Sequence, residues 1–162
     1  VHVSEALEDS LVDETVSGAI TALCRSIEPG DYFSLNAFLP FTGEGRREAL
    51  EEIRHSIAER CRIPSCLEIG PRYLHSTGQL HKGGRNNGVF LVLSADEPRD
   101  IEVENAKAQS LGELEKAQAM GDFSILSSRG RRCVYIHLPD NSSVTLRLLS
   151  KVLRNVVARV TE

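Results

Sequence analysis

Gly88-Val-Phe-Leu-Val-Leu-Ser94 is a nearly continuous apolar run. It does not alternate between apolar and polar residues, so it offers no face to water. It therefore reads as a central strand covered on both sides, the situation found in sheets flanked by helices. This one stretch restricts the chain to folds that can bury a strand completely. The segments around it supply the covering layers.

A helix is expected from Asp9 or Ser10, as its cap, to about Ile27, with Asp13 and Glu14 in its first turn. Val12, Val16, Ala19, Ile20, Leu23 and Ile27 recur at helical spacing. Pro29-Gly30 ends it, and Asp31 to Leu39 reads as a strand closed by Pro40. After a loop over 41–45, a second helix spans about Gly45 to Cys61. It buries Ala49, Leu50, Ile53, Ile57 and Cys61, and its Arg- and Glu-rich faces read as solvated. Pro64 stops that helix, and Ser65 to Ile69 is a short strand. Past the apolar run, residues 95–109 read as a charged surface connector. Ser110-Leu-Gly-Glu113 has the form of a capping box. It starts a helix carrying Leu111, Leu114, Ala117 and Met120 and reaching about Ser128. Arg132 to Leu138 is a strand, and Pro139-Asp140-Asn141 a turn. Ser143 is the expected cap of a last helix burying Leu146, Leu149, Leu153, Val156 and Val160.

Helices thus alternate with strands, which implies an α/β three-layer sandwich with a mostly parallel sheet of four or five strands flanked by helices. With 162 residues and 41% hydrophobic content, the chain suits one domain with a proper core. Residues 1–10 are polar and are expected to be poorly ordered. Twenty-three acidic residues against 19 basic ones give a net charge of −4, which disfavours general nucleic-acid binding. No apolar run approaches the roughly 18 residues of a membrane span. Glu5, Glu8 and Asp9 do not fit a signal peptide. Cys24, Cys61, Cys66 and Cys133 lack CxxC or zinc-like spacing and read as reduced thiols of a cytoplasmic protein. A chain beginning at Val1 is expected to be a piece of a longer one.

One segment does not serve the core. Gly70-Pro-Arg-Tyr-Leu-His-Ser-Thr-Gly-Gln-Leu-His-Lys-Gly-Gly84 holds two histidines, Arg72, Lys82, Gln79, Ser76, Thr77 and four glycines. No Asp or Glu occurs from Ile69 to Ala95. Arg72, Lys82 and Arg85 beside glycine-exposed backbone N–H groups suit an anionic ligand, phosphate or carboxylate. Gly78, Gly83 and Gly84 allow close approach of backbone to ligand. The segment follows Ser65–Ile69, and ligands of open α/β sheets lie beyond the carboxyl ends of strands. His75 and His81 suit proton transfer, or they hydrogen-bond the loop into shape; chemistry alone weighs these equally. A metal site would want a third ligand close in sequence, and residues 69–95 offer none, so no metal is expected. Ser76 has no adjacent acid, so a hydrolase triad is unsupported.

The same segment closely resembles the C-terminal region of bifunctional transaldolase/glucose-6-phosphate isomerase proteins. Its flanks match too: Pro29-Gly-Asp-Tyr-Phe33, Gly88-Val-Phe-Leu91, Ala117-Gln-Ala-Met-Gly-Asp122, Arg131-Arg132 and His137-Leu138. The resemblance covers about residues 11–138 and implies a sugar-isomerase-like domain. Phosphoglucose isomerases carry a loop Gly-x-x-x-x-His-Ser-x-x-Gln-Leu, matched by Gly70, His75, Ser76, Gln79 and Leu80. The resemblance implies that His75 assists opening of the sugar ring and that Gln79 contacts the sugar. Arg72, Ser76, Thr77, His81 and Lys82 join the expected substrate-binding set. No cofactor is implied, because isomerisation through an enediol needs only acid–base chemistry.

The family's Glu-Ser-x-Gly-Lys and Phe-Asp-Gln motifs are absent from this sequence, as is the Schiff-base lysine context of a transaldolase. Lys151 lies on a late helix without the matching flanks, and nothing ties Glu44 or Glu68 to catalysis. The rest of an isomerase site is thus expected from upstream isomerase and transaldolase domains of the same chain, or from a second subunit. A module that holds a sugar phosphate or joins domains without chemistry is the competing expectation.

Overall fold

The computed structural model describes residues 1–40, 42–43, 45–103 and 110–160. The strands are β1 (His2–Val3), β2 (Tyr32–Phe38), β3 (Ser65–Ile69), β4 (Gly88–Ala95) and β5 (Arg132–Leu138). The helices are α1 (Glu5–Glu8), α2 (Val16–Arg25), α3 (Arg46–Cys61), α4 (Thr77–Gly83), α5 (Leu111–Ser128) and α6 (Ser143–Val160), with a 3-10 turn over Arg72–His75. The sheet order is β1-β5-β4-β2-β3. β2 to β5 are parallel, and β1 joins antiparallel, so the expected mostly parallel α/β sandwich is the architecture found.

The apolar run becomes β4, flanked by β2 and β5. Val89, Phe90, Leu91, Val92 and Leu93 are all inaccessible to water. Successive side chains enter opposite layers. Val89, Leu91 and Leu93 meet Phe33, Leu35 and Ala37 of β2 beneath α2, α3 and α6. Phe90 and Val92 pack with Phe38, Tyr73, Phe123 and Tyr135 on the side of α4 and α5. A strand used on both faces cannot alternate, which accounts for its composition. No helix among the described residues is long and apolar enough to cross a membrane.

Several local expectations are corrected. Residues 1–10 are ordered: β1 pairs with β5, Ser4 N–H donates to Cys133 O at 2.9 Å, and Leu7 is fully buried. Their polar composition concealed one apolar anchor. α2 starts at Val16 rather than after Ser10, because Thr15 Oγ1 caps it by accepting from Gly18 N–H at 3.0 Å. Val12, placed in the buried stripe by spacing, lies outside that helix and is 69% exposed. Ser142, not Ser143, caps α6 by accepting from Thr145 N–H. Ser110 caps α5 as expected. The buried face of α5, however, is Ala119, Asp122, Phe123 and Leu126, while Leu111 and Leu114 face outward near its start. Part of the 95–109 connector, residues 104–109, lies outside the described residues, as does Glu44.

Candidate functional site

The segment 70–84 is the crossover between β3 and β4, so it occupies both ends of the sheet. Gly70 continues the β3 ladder, donating its N–H to Ala37 O at 2.9 Å. A Cβ at Gly70 would stand 2.4 Å from the Phe38 ring, so this glycine is demanded by packing. The 3-10 turn that follows sits just past the carboxyl end of β3. α4 then runs back along the sheet face. By Lys82 and Gly84 the chain is at the amino ends of the strands, where Arg131, just before β5, donates to both carbonyl oxygens. The expectation that the whole segment gathers at one strand end is therefore corrected. The return path along α4 leaves only its first half there.

The seven singled-out residues divide accordingly. His75, Ser76, Thr77 and Arg72 are exposed around the 3-10 turn and the start of α4. Ser76 Oγ donates to Tyr73 O at 3.2 Å. Gln79 is exposed, and its Nε2 donates to Leu74 O at 2.8 Å, bracing the turn that carries His75. His81 and Lys82 point the other way. His81 is 3% exposed and lies among the rings of Phe90, Tyr32 and Tyr73, with centroids 5.1, 5.9 and 6.1 Å away. Burial lowers its pKa from the ordinary 6.5, Asp122 opposes that shift and Lys82 adds to it. Lys82 Nζ lies 2.6 Å from Asp122 Oδ1, whose side chain is 1% exposed. Tyr73 O–H donates to the other oxygen of Asp122. Burial and the facing Asp122 push the Tyr73 phenol far above its ordinary range. Thus the acid missing from the segment arrives from α5, and the lysine meets a carboxylate of its own chain. The glycines follow the same logic: a Cβ at Gly78 would come within 2.9 Å of Tyr73 O, and one at Gly84 within 2.6 Å of Leu80 O. Gly78 and Gly84 thus serve packing of the crossover, whereas a Cβ at Gly83 would meet nothing within 4 Å.

Two arrangements had no signal in linear order. At the carboxyl ends of β2, β3 and β4 a cleft of about 380 Å³ is lined by Pro40, Pro71, Ile101, Leu114, Glu97 and Glu115, among others. β3 and β4 lie on opposite sides of β2, so this cleft sits where the strand order reverses, the usual ligand position of such sheets. Burial, with Glu97 nearby, raises the pKa of Glu115. Pro71 lines this cleft and His75 does not. Beside it, Ser94 Oγ lies 2.8 Å from His137 Nδ1, and His137 Nε2 lies 2.9 Å from Asp96 Oδ1. Ser94 is 1% exposed and also bonds Tyr135 OH, so it orients the imidazole and is closed to attack on a substrate. The residues come from two neighbouring strands, paired Ser94 to His137, and only sheet register brings them together.

The fold and site define a three-layer α/β/α domain with an exposed histidine turn at one strand end. No family model matches the chain, and no curated protein matches it. Among solved structures, the crystal structure of hypothetical protein TT0462 from Thermus thermophilus is similar, with a TM-score of 0.69 at 15% identity. The match covers 94% of this chain and 41% of that one, so this chain spans about two fifths of that protein's length. At this identity the likeness concerns the fold.

Proposed function

We propose that this chain is the C-terminal, sugar-isomerase-like domain of an aldose–ketose isomerase interconverting glucose 6-phosphate and fructose 6-phosphate, fused to a transaldolase. On this reading it works in cytoplasmic carbohydrate metabolism, in glycolysis, gluconeogenesis and the pentose phosphate pathway. His75 gives or takes the ring-oxygen proton, and Gln79, Ser76, Thr77 and Arg72 meet the sugar phosphate. The observation that carries the reading is the exposure of His75 on a braced turn directly beyond the carboxyl end of β3. An imidazole at the surface can give a proton to, or take one from, a substrate docked against it. His81 and Lys82 hold the crossover to the sheet and thereby position that turn.

His75 is exposed and does not line the carboxyl-end cleft. The carboxylate base and the phosphate loops therefore come from upstream domains or from a second copy, and the isolated domain is inactive. The competing reading, a docking module that holds domains or ligand without chemistry, draws on that same separation between His75 and the cleft. Turnover of the full-length parent separates them. His75→Ala is expected to slow conversion of the cyclic sugar phosphate by roughly 10²–10⁴-fold, the usual worth of general acid–base catalysis. An unchanged rate supports the docking module instead.

A further inference from the structure

The strands β2 and β3 carry a polar row beneath α4. In their parallel register Ser34 pairs with Cys66 and Asn36 with Glu68. The residues between them, Phe33, Leu35 and Leu67, belong to the opposite core layer. Alternation thus turns Ser34, Asn36, Cys66 and Glu68 toward α4. His81 descends from α4 onto the same patch. One donor atom each from Cys66, Glu68 and His81 lie within 4.8 Å of one another. His81 is only 3% exposed, and its Nδ1 has no hydrogen-bond partner among the described residues. A buried nitrogen left unpaired is costly, so a partner is called for.

We propose that Cys66, Glu68 and His81 form a binding site for a divalent zinc-class ion. A sulfur, a nitrogen and a carboxylate oxygen are the donor set that such an ion takes, whereas calcium and magnesium want oxygen throughout. Tetrahedral bonds of roughly 2.0–2.3 Å set donors about 3.3–3.8 Å apart, so side-chain shifts of about 1 Å close the set. On binding, the Cys66 thiol releases its proton to solvent and its sulfur bonds the ion. The Cys66 thiol donates to Ser34 Oγ at 3.3 Å and the Ser34 hydroxyl donates on to Asn36 Oδ1 at 2.6 Å, so this polar row holds the sulfur beneath α4. β3 is the edge strand, and Cys66 and Glu68 are half-buried, so ion and water reach the fourth position from the sheet edge. The site lies under α4, whereas His75 is on the exposed turn before it. The two proposals therefore stand or fall separately.

Chelator-treated chain titrated with Co²⁺ tests this. The expected result is one ion per chain with a thiolate-to-cobalt charge-transfer band, bleached by Zn²⁺. Cys66→Ser is expected to abolish the band and weaken Zn²⁺ affinity at least tenfold, with circular dichroism unchanged. Glu68→Gln is expected to weaken affinity and leave the band in place, and Cys24→Ser to leave both. His81→Asn repeats the loss of affinity where that variant folds. No uptake overturns the proposal. So does a band that survives Cys66→Ser, or one that Cys24→Ser removes, since the ion would then sit elsewhere.

Discussion

Lys82 Nζ lies 2.6 Å from Asp122 Oδ1, and this ion pair fixes α4 to α5 at a point almost closed to water. Neither partner can be spared alone. Removing one leaves the other charged and desolvated, a loss of about 3–5 kcal/mol in comparable buried pairs. The partial exposure of Lys82 places the effect at the lower end for Asp122→Leu. Replacing both, Lys82→Met with Asp122→Leu, is expected to cost less than Asp122→Leu alone, because Tyr73 O–H loses its acceptor in both and only the single change leaves Lys82 unpaired. Urea denaturation of the four proteins as a double-mutant cycle measures the coupling. Additive losses would show that the pair contributes nothing.

His75 is exposed and takes no part in the core. His75→Ala should leave stability within about 0.5 kcal/mol of the parent domain, as surface changes do. A thermal melt checks this, and it must hold before any loss of turnover is read as catalysis.

Two glycines on neighbouring helices should respond in opposite directions. A Cβ at Gly78 meets Tyr73 O at 2.9 Å and the Tyr73 ring at 3.1 Å, both in the turn that carries His75. Gly78→Ala should destabilise by about 1–3 kcal/mol through overpacking. A Cβ at Gly121, within α5, meets nothing within 4 Å. Gly121→Ala should stabilise by about 0.4–1 kcal/mol by restricting the unfolded chain and favouring helix. Denaturant midpoints of the two variants decide both signs.

Asp31 and Arg132 make a two-pronged pair, with 2.7 and 2.9 Å contacts, that ties the loop before β2 to the start of β5. Burial raises the Asp31 pKa, but hydrogen bonds from Arg132 and the Glu28 amide, together with the Arg132 charge, outweigh it and leave it below the ordinary 3.8. In acid the unfolded chain therefore takes up this proton before the folded one does. The stabilisation is complete above pH 3.8 and is lost as pH falls through the folded value. Asp31→Asn should be less stable at neutral pH, with the difference shrinking in acid. Denaturant titrations at several pH values from neutral downward would refute this if the gap stayed constant.

The hydrophobic pattern announced most of the architecture. Gly88–Ser94 named the central strand because a residue buried on both faces has no polar alternate, and Ile53 and Ile57 marked the inner face of α3 because helical spacing leaves little choice. Legibility failed where partners are distant. Leu7 and the pairing of β1 with β5 anchor an N-terminus that reads as polar. On α5, Leu111 and Leu114 are apolar yet exposed, while Asp122 is buried because Lys82 and Tyr73 wait for it. At the candidate site, a donor-rich segment was visible. Its division between an exposed turn and a buried crossover was not.

Taken alone, the order of amino acids determined the layers, the near-parallel sheet and the presence of one polar segment unlike the rest, because periodicity and turn residues are local properties. The tertiary structure decided which histidine faces water and which faces Cys66 and Glu68. It also decided that Asp122 neutralises Lys82. Those choices depend on strand register and on α4 packing across the sheet, which bring together residues far apart along the chain.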